Sequence, residues 1–162
     1  MAIKDNKLNI ELIKNSQWNE FFRLQYLFFK RYNKLDRNVD KSHTIRKLKR
    51  LLFDFCKIKH PPNYVWVASL NGKYVGHVWG VVYPIQLISK KLKFTIFNMI
   101  VKRENRKHGI GDRLLEYIVS FCRQSKIEKI DFQVKIKDRS VVKFCEKRGC
   151  TKDAYIYRLD VK

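Results

Sequence analysis

The stretch from Phe94 to Cys122, FTIFNMIVKRENRKHGIGDRLLEYIVSFC, constrains the fold more than any other, because hydrophobic period changes there across a glycine-bearing turn. Phe94, Ile96, Met99, Ile100 and Val101 form an apolar run rich in strand formers and too short for a free-standing helix, which reads as a buried strand. From Gly111 the spacing turns helical: Leu114, Leu115, Ile118, Phe121 and Cys122 share one face, and Asp112 in the first turn complements the helix dipole. Between strand and helix lies Arg106-Lys107-His108-Gly109-Ile110-Gly111. Glycines at 109 and 111 are expected to take unusual dihedrals and bring backbone N–H groups close to a ligand, where a helix start also offers unpaired donors. That is a place to hold phosphate; the plain alternative is a basic turn with two glycines. No Gly-Lys-Ser/Thr follows, so it is not a Walker loop, and the dinucleotide fingerprint G-x-G-x-x-G is incomplete.

The same residues resemble the GNAT superfamily of acyl-CoA-dependent N-acetyltransferases, whose signature runs V-x-x-x-x-Q/R-x-x-G-I/L-G, followed by a small or polar residue and then Leu-Leu. Val101, Arg106, Gly109, Ile110, Gly111, Leu114 and Leu115 match in register. A second block, Asp138 to Cys150 (DRSVVKFCEKRGC), is similar to the family's N-x-x-A-x-x-F/L-Y-E-K-x-G-F. The resemblance is sharp over 94–150 and topological elsewhere.

Length sets one domain over residues 1–162, large enough to bury a core without staples. No apolar run approaches the ~18 residues of a membrane span, and the first fifteen residues lack a signal-peptide core, so a cytoplasmic protein is expected. Cys56, Cys122, Cys145 and Cys150 contain no C-x-x-C pair, which argues against zinc and a disulfide framework, and no metal is expected. Charge is the unusual feature: 36 Lys+Arg against 15 Asp+Glu give +21. Such a field attracts polyanions and repels polycations. Three readings follow, namely a nucleic-acid or ribosome neighbour, an acidic small substrate, or a bias toward lysine with no partner behind it.

Along the chain, Asn9–Lys14 reads as an edge strand, and Ser16 as the cap of a helix from Gln17, with Glu20 completing a capping pattern. Its aromatic residues, among them Trp18, Phe21, Phe22, Tyr26, Phe28 and Phe29, read as core. A second helix, capped by Ser42 or Thr44 and running to about Lys57, carries a basic outer face including Arg46, Lys47, Lys49 and Arg50, continuous in sequence with Lys30, Arg31, Lys34 and Arg37. Pro61-Pro62 stops it. Asn71-Gly72 joins two strands, Tyr64–Leu70 and Lys73–Tyr83, as a hairpin, with Gly76 and Gly80 permitting close packing and His77 read as a packed histidine. Strands at Lys129–Ile136 and Ala154–Val161 and a helix from Asp138 to Arg148, ended by Gly149, complete the order β-α-α-β-β-β-α-β-α-β. The resemblance implies an α/β GNAT fold: a mixed, mostly antiparallel sheet with helices on both faces and a splayed acyl-CoA site between the two central strands.

The resemblance also implies the chemistry. Met99, Ile100 and Val101 would pair their backbone with the pantetheine arm of acetyl-CoA. A backbone N–H there, at Ile100, would bond the thioester oxygen more strongly as charge develops on it. Arg106, Lys107, His108, Gly109, Ile110 and Gly111 would take the pyrophosphate. A neutral amine would then attack directly, so a base or a water chain is expected. Relatives often carry Glu at the position of Gln133, which cannot serve as a base; Asp131 is the leading carboxylate substitute, against its reading as a surface acid. Cys145 stands where the family has the tyrosine that protonates the leaving thiolate; a thiol of pKa about 8.5 is matched to that task. Asp138 replaces an asparagine that bonds the pantetheine and can accept but not donate. The expected function is acetyl transfer from acetyl-CoA to a primary amine. The alternative is a basic GNAT-fold module that binds nucleic acid or ribosome, with acyl-CoA as a non-catalytic ligand.

Overall fold

The computed structural model describes residues 7–32, 40, 42–47, 49–50, 63–85, 90–134 and 138–153. It divides into two compact units, Met1–Phe132 and Gln133–Lys162, and each is described by itself. The first unit holds a five-stranded sheet in which sequence order is spatial order: β1 (Leu8–Leu12), β2 (Asn63–Leu70), β3 (Lys73–Pro84), β4 (Leu92–Val101) and β5 (Ile127–Phe132). The first four pair antiparallel, and β5 joins β4 in parallel. A parallel neighbour needs a crossover. Helix α2 (Ile110–Gln124) supplies it.

The sheet is covered on both faces, as the two-sided apolar content of β2 and β3 requires. On one face Trp66, Val78, Phe94 and Ile96 pack with Ile110, Leu114, Ile118 and Cys122 of α2. On the other, Phe21 and Phe22 of α1 (Trp18–Tyr32) pack with Val65, Val67 and Trp79. The hairpin forms as its sequence demands: Asn71 at φ 50° and Gly72 at φ 75° provide the paired left-handed residues of a type I′ turn.

Several boundaries differ from the sequence reading for identifiable reasons. Ser16 is not the cap of α1; it lies in a 3₁₀ turn, Asn15–Gln17, closed by the Gln17 side chain accepting the Lys14 N–H at 2.8 Å. Glu20 does not complete a capping box but grips Arg23 and Lys102, at 2.7 and 2.6 Å. Ahead of the helical residues 42–47 the cap is Asp40 rather than Ser42 or Thr44. Its carboxylate accepts the N–H groups of Ser42 and His43, and its carbonyl accepts that of Thr44. α2 begins at Ile110, one residue before Gly111, because buried Ile110 anchors its first turn. β5 starts at Ile127 and ends at Phe132, short of Ile136. The rest of the second helix, Lys34, Arg37, Cys56, and the closing strand at 154–161 lie outside the described residues.

The second unit contains α3 (Arg139–Lys147), with Asp138 at its N-cap position as expected. It ends in a Schellman turn: Gly149, at φ 74°, donates to Glu146 C=O, and Cys150 N–H donates to Cys145 C=O at 3.1 Å.

Candidate functional site

The two neighbours of β4 do not accompany it equally far. Pairing with β5 runs from Leu92↔Ile127 to Ile96↔Phe132 and stops, whereas pairing with β3 continues to Gly76↔Val101. Met99, Ile100 and Val101 therefore keep a strand partner on one side only among the described residues. Strand backbone groups obligatorily seek partners, so this half-paired stretch presents a template for an extended ligand. A bulge marks where the arrangement changes: Trp79 pairs with Asn98 and Gly80 with Ile96, leaving Phe97 as the extra residue. Phe97 and Asn98, though consecutive, both face α1. The Phe97 ring lies 5.1 Å from that of Trp79, and the Asn98 amide reaches Gln25, while Met99 and Val101 return to the α2 side.

Behind the bulge lies a buried polar chain. Gln25 and Asn98 form a reciprocal amide pair, each donating to the other at 3.0 Å. Gln25 Nε2 also lies 2.9 Å from His77 Nε2, and His77 Nδ1 lies 2.7 Å from the Tyr74 hydroxyl. With Gln25 as donor, His77 carries its proton on Nδ1 and donates to Tyr74. Burial drives the His77 imidazole down to about 3, with the Asn98 side chain pulling the other way, and pushes the Tyr74 phenol up. His77 is thus a neutral, fully packed histidine, as the sequence suggested. Gln25, Tyr74 and Asn98 were missed. The available signal was a lone amide inside each of two apolar runs, FFRLQYLFF and FTIFNMIV.

At the other end of the half-paired stretch, Lys102 N–H donates to Val75 C=O at 2.9 Å and its ammonium meets Glu20 of α1. The Arg23 guanidinium, with Lys102 beside it, holds the Glu20 carboxyl down to about 2. Helix α1 therefore grips β4 just before Met99, through Gln25 and Asn98, and just after Val101, through Glu20 and Lys102.

The chain then enters the glycine loop. Arg106 folds back so that its Nε donates to Val101 C=O at 2.9 Å. Gly109 caps α2 in the left-handed region at φ 77°, and the space a Cβ would occupy there is open. The expectation of unusual dihedrals at both glycines is corrected: Gly111 has no positive φ and lies within the first turn of α2, and the second left-handed residue is Lys107 at φ 64°. The helical ladder starts with Arg113 N–H donating to Gly109 C=O, which leaves the amides of Ile110 and Gly111 without an intrahelical acceptor. Lys107 and His108 are exposed beside them.

The candidate catalytic groups are arranged less favourably. Asp131 pairs in register with Thr95 and accepts from Lys93 Nζ at 2.8 Å. Ile100 lies five residues further along β4, about 15 Å at strand rise, so the fold does not bring Asp131 to the half-paired stretch. Gln133 lies beyond the end of β5. In the second unit, Cys145 is buried, and burial, with Cys150 adding to it, pushes its thiol up to about 11 rather than the value near 8.5 expected from sequence. A proton would move uphill from such a thiol to an ordinary thiolate. The Asp138 carboxylate accepts the Ser140 hydroxyl at 2.8 Å. No cluster of metal-ligating side chains occurs among the described residues, and none of their helices is long and apolar enough to cross a membrane.

The family model described as "Acetyltransferase (GNAT) family" matches residues 18–150. No curated protein sequence matches the chain significantly. Solved structures do. A Pyrococcus furiosus protein proposed to be an acetyl transferase superposes with a TM-score of 0.76 at 20% identity, covering 96% of this chain and 100% of that one. An aminoglycoside acetyltransferase, meta-AAC0020 from an uncultured soil metagenomic sample, crystallised with sisomicin, gives 0.68 at 22%, covering 96% and 97%. Glucosamine-6-phosphate N-acetyltransferase from Arabidopsis thaliana gives 0.68 at 15%, covering 96% and 99%. At these identities the structures speak for the fold alone; the family model, which spans the half-paired strand, the glycine loop and α3 together, carries the assignment, and the chain belongs to the acetyltransferase (GNAT) family.

Proposed function

We propose that the protein transfers an acetyl group from acetyl-CoA to a primary amine by direct attack, as a single cytoplasmic domain over residues 1–162. The observation that carries this reading is the continuity of two features: a strand half-paired at Met99–Val101 runs directly into a helix capped by left-handed, uncovered Gly109. Bound acetyl-CoA would supply an acyl thioester activated toward amines. Backbone groups of Met99, Ile100 and Val101 would pair with its extended arm, and an N–H at Ile100 would bond its carbonyl oxygen and stabilise developing charge. The loop from Arg106 to Gly111 would receive the pyrophosphate through first-turn amides at the positive end of α2. Asp138 would accept a hydrogen bond from the pantetheine. Asp131 is remote from this stretch, and the Cys145 thiol is a weak acid, so we assign proton removal from the amine and proton delivery to the thiolate to water.

Charge bears on the acceptor. The two neighbours whose names disclose an acceptor differ in its sign, one acting on aminoglycosides and the other on a sugar phosphate amine. A net charge of +21 disfavours approach of a polycation and favours a neutral or anionic amine. Beyond the net charge, no observation favours the alternative of a nucleic-acid or ribosome-binding module.

Free-thiol release from acetyl-CoA, followed with a panel of cationic, neutral and anionic amines at low and high salt, tests the reading. At saturating acetyl-CoA, turnover that falls as salt rises with an anionic amine, or that holds steady with a neutral one, is the expected result. A polyamine as best acceptor at low salt would overturn the acceptor argument. Calorimetry showing no acetyl-CoA binding by the wild type at millimolar concentration, or undiminished binding by Gly109→Val, would overturn the site.

A further inference from the structure

α3 ends in two thiols rather than the usual apolar pair. In a Schellman turn the residue two past the cap folds back over the residue in the last turn whose carbonyl its N–H meets, and a contact between the two side chains frequently accompanies it. Here those residues are Cys150 and Cys145, joined by the 3.1 Å Cys150 N–H to Cys145 C=O bond. The Cys150 thiol lies near enough to help hold the Cys145 thiol protonated. The return is held from three sides: Gly149 in the left-handed region, the Gly149 N–H to Glu146 C=O bond at 3.1 Å, and the Lys152–Glu146 ion pair at 3.2 Å just beyond. Cys145 is buried, whereas Cys150 is partly open to solvent. One thiol is thus open to solvent, while the other is almost wholly shielded. Cys122 is separately buried on the core face of α2 in the first unit.

We propose that Cys145 and Cys150 form a dithiol modification site that a hydroperoxide oxidises to an intramolecular disulfide. The Cys150 sulfur attacks the peroxide's terminal oxygen, breaking the O–O bond. This gives a Cys150 sulfenic acid and releases water, or an alcohol from an organic hydroperoxide. Cys145 sulfur then displaces hydroxide from the Cys150 sulfur; the S–S bond forms, the thiol proton leaves with the hydroxide as water, and each sulfur has given up one electron to the peroxide. Because Cys145 holds its proton tightly, the second step is slow and the sulfenic acid accumulates before the disulfide. The same tight hold disfavours the reduced thiolate that reversal would generate, so the disulfide, once formed, yields to a dithiol reductant slowly. This chemistry needs neither acetyl-CoA nor an acceptor and stands independently of the proposed activity.

Tryptic mapping of the full-length protein after hydrogen peroxide treatment, without reduction, decides it. Cleavage isolates Phe144–Lys147 (FCEK) from Gly149–Lys152 (GCTK). The expected product is those two peptides covalently joined at the sum of their masses less two hydrogens, restored to free peptides by dithiothreitol. In Cys145→Ser, Cys150 should instead be trapped as the sulfenic acid by dimedone. In Cys150→Ser, the peptide carrying Cys145 should stay reduced. Cys150 proceeding to sulfinic acid in the wild type with Cys145 untouched, or a disulfide linking either residue to Cys56 or Cys122, would overturn the proposal. The turn is closed by backbone bonds that neither substitution removes, and an unchanged thermal midpoint of each variant separates loss of the thiol from loss of fold.

Discussion

Replacing Gln25 by leucine tests whether α1 and the bulge of β4 are joined by the buried amide chain. The side chain makes three hydrogen bonds, at 2.9, 3.0 and 3.0 Å, to His77 Nε2, Asn98 Oδ1 and Asn98 Nδ2. Leucine has similar volume but leaves all three atoms unpaired, on residues whose exposure is 0% and 7%. Each unpaired buried group costs ~1–3 kcal/mol, and leucine's better burial offsets part, so a loss of about 3–5 kcal/mol is expected. Asn98→Leu alone strips Gln25 of two bonds and should cost about 2–4 kcal/mol. In the double variant only His77 Nε2 remains without its partner. Its loss should therefore fall below the sum of the singles by about 2 kcal/mol or more, as expected for one network rather than separate contacts. Urea denaturation with an unchanged slope gives each value. A loss below ~1 kcal/mol for Gln25→Leu, or an additive cycle, would show that water or another group satisfies the orphaned atoms and refute the reasoning.

Three further predictions follow from the same geometry. His77 is held near 3 against an ordinary 6.5, so between these values the unfolded chain binds a proton that the native state refuses; stability should fall as pH drops from about 6.5 toward 3. The Glu20 contribution disappears only below its ordinary 4.5, so denaturation midpoints of His77→Gln should lose the slope between pH 6.5 and 4.5, and an unchanged slope would assign it elsewhere. A Cβ at Gly76 would lie 2.6 Å from Ile100 O, whereas one at Gly80 would meet the Phe94 ring and lie 2.6 Å from Thr95 O. Each alanine variant should lose ~1–3 kcal/mol to overpacking, but Gly76→Ala should weaken acetyl-CoA binding more in calorimetry, since only it strikes the half-paired stretch. Equal affinities would argue that Ile100 lies outside the ligand's path. Cys145→Ala should leave turnover nearly unchanged and Cys145→Tyr should retain or raise it; a drop of the ~10²–10⁴-fold typical of a lost general acid would show that the thiol delivers the proton.

Local rules determined much of this protein from sequence alone. An apolar run rich in strand formers located β4 and helical spacing α2, Asn71-Gly72 dictated its turn, Gly149 the end of α3, and Arg106–Gly111 the family, because each depends on residues within a few positions of one another. The rest required tertiary structure. No local signal says that β5 stops at Phe132 while β3 follows β4 to Val101, since pairing length is settled between strands distant in sequence. The same applies to Gln25 and Asn98, separated by 73 positions, which sequence would place on a surface and which burial forces to find each other. Asp131 and Cys145 show the converse. Their residue types suited the chemistry, but strand register sets one opposite Thr95, far along β4 and paired with Lys93, and burial makes the other a weaker acid, because position and dielectric are properties of the packed molecule.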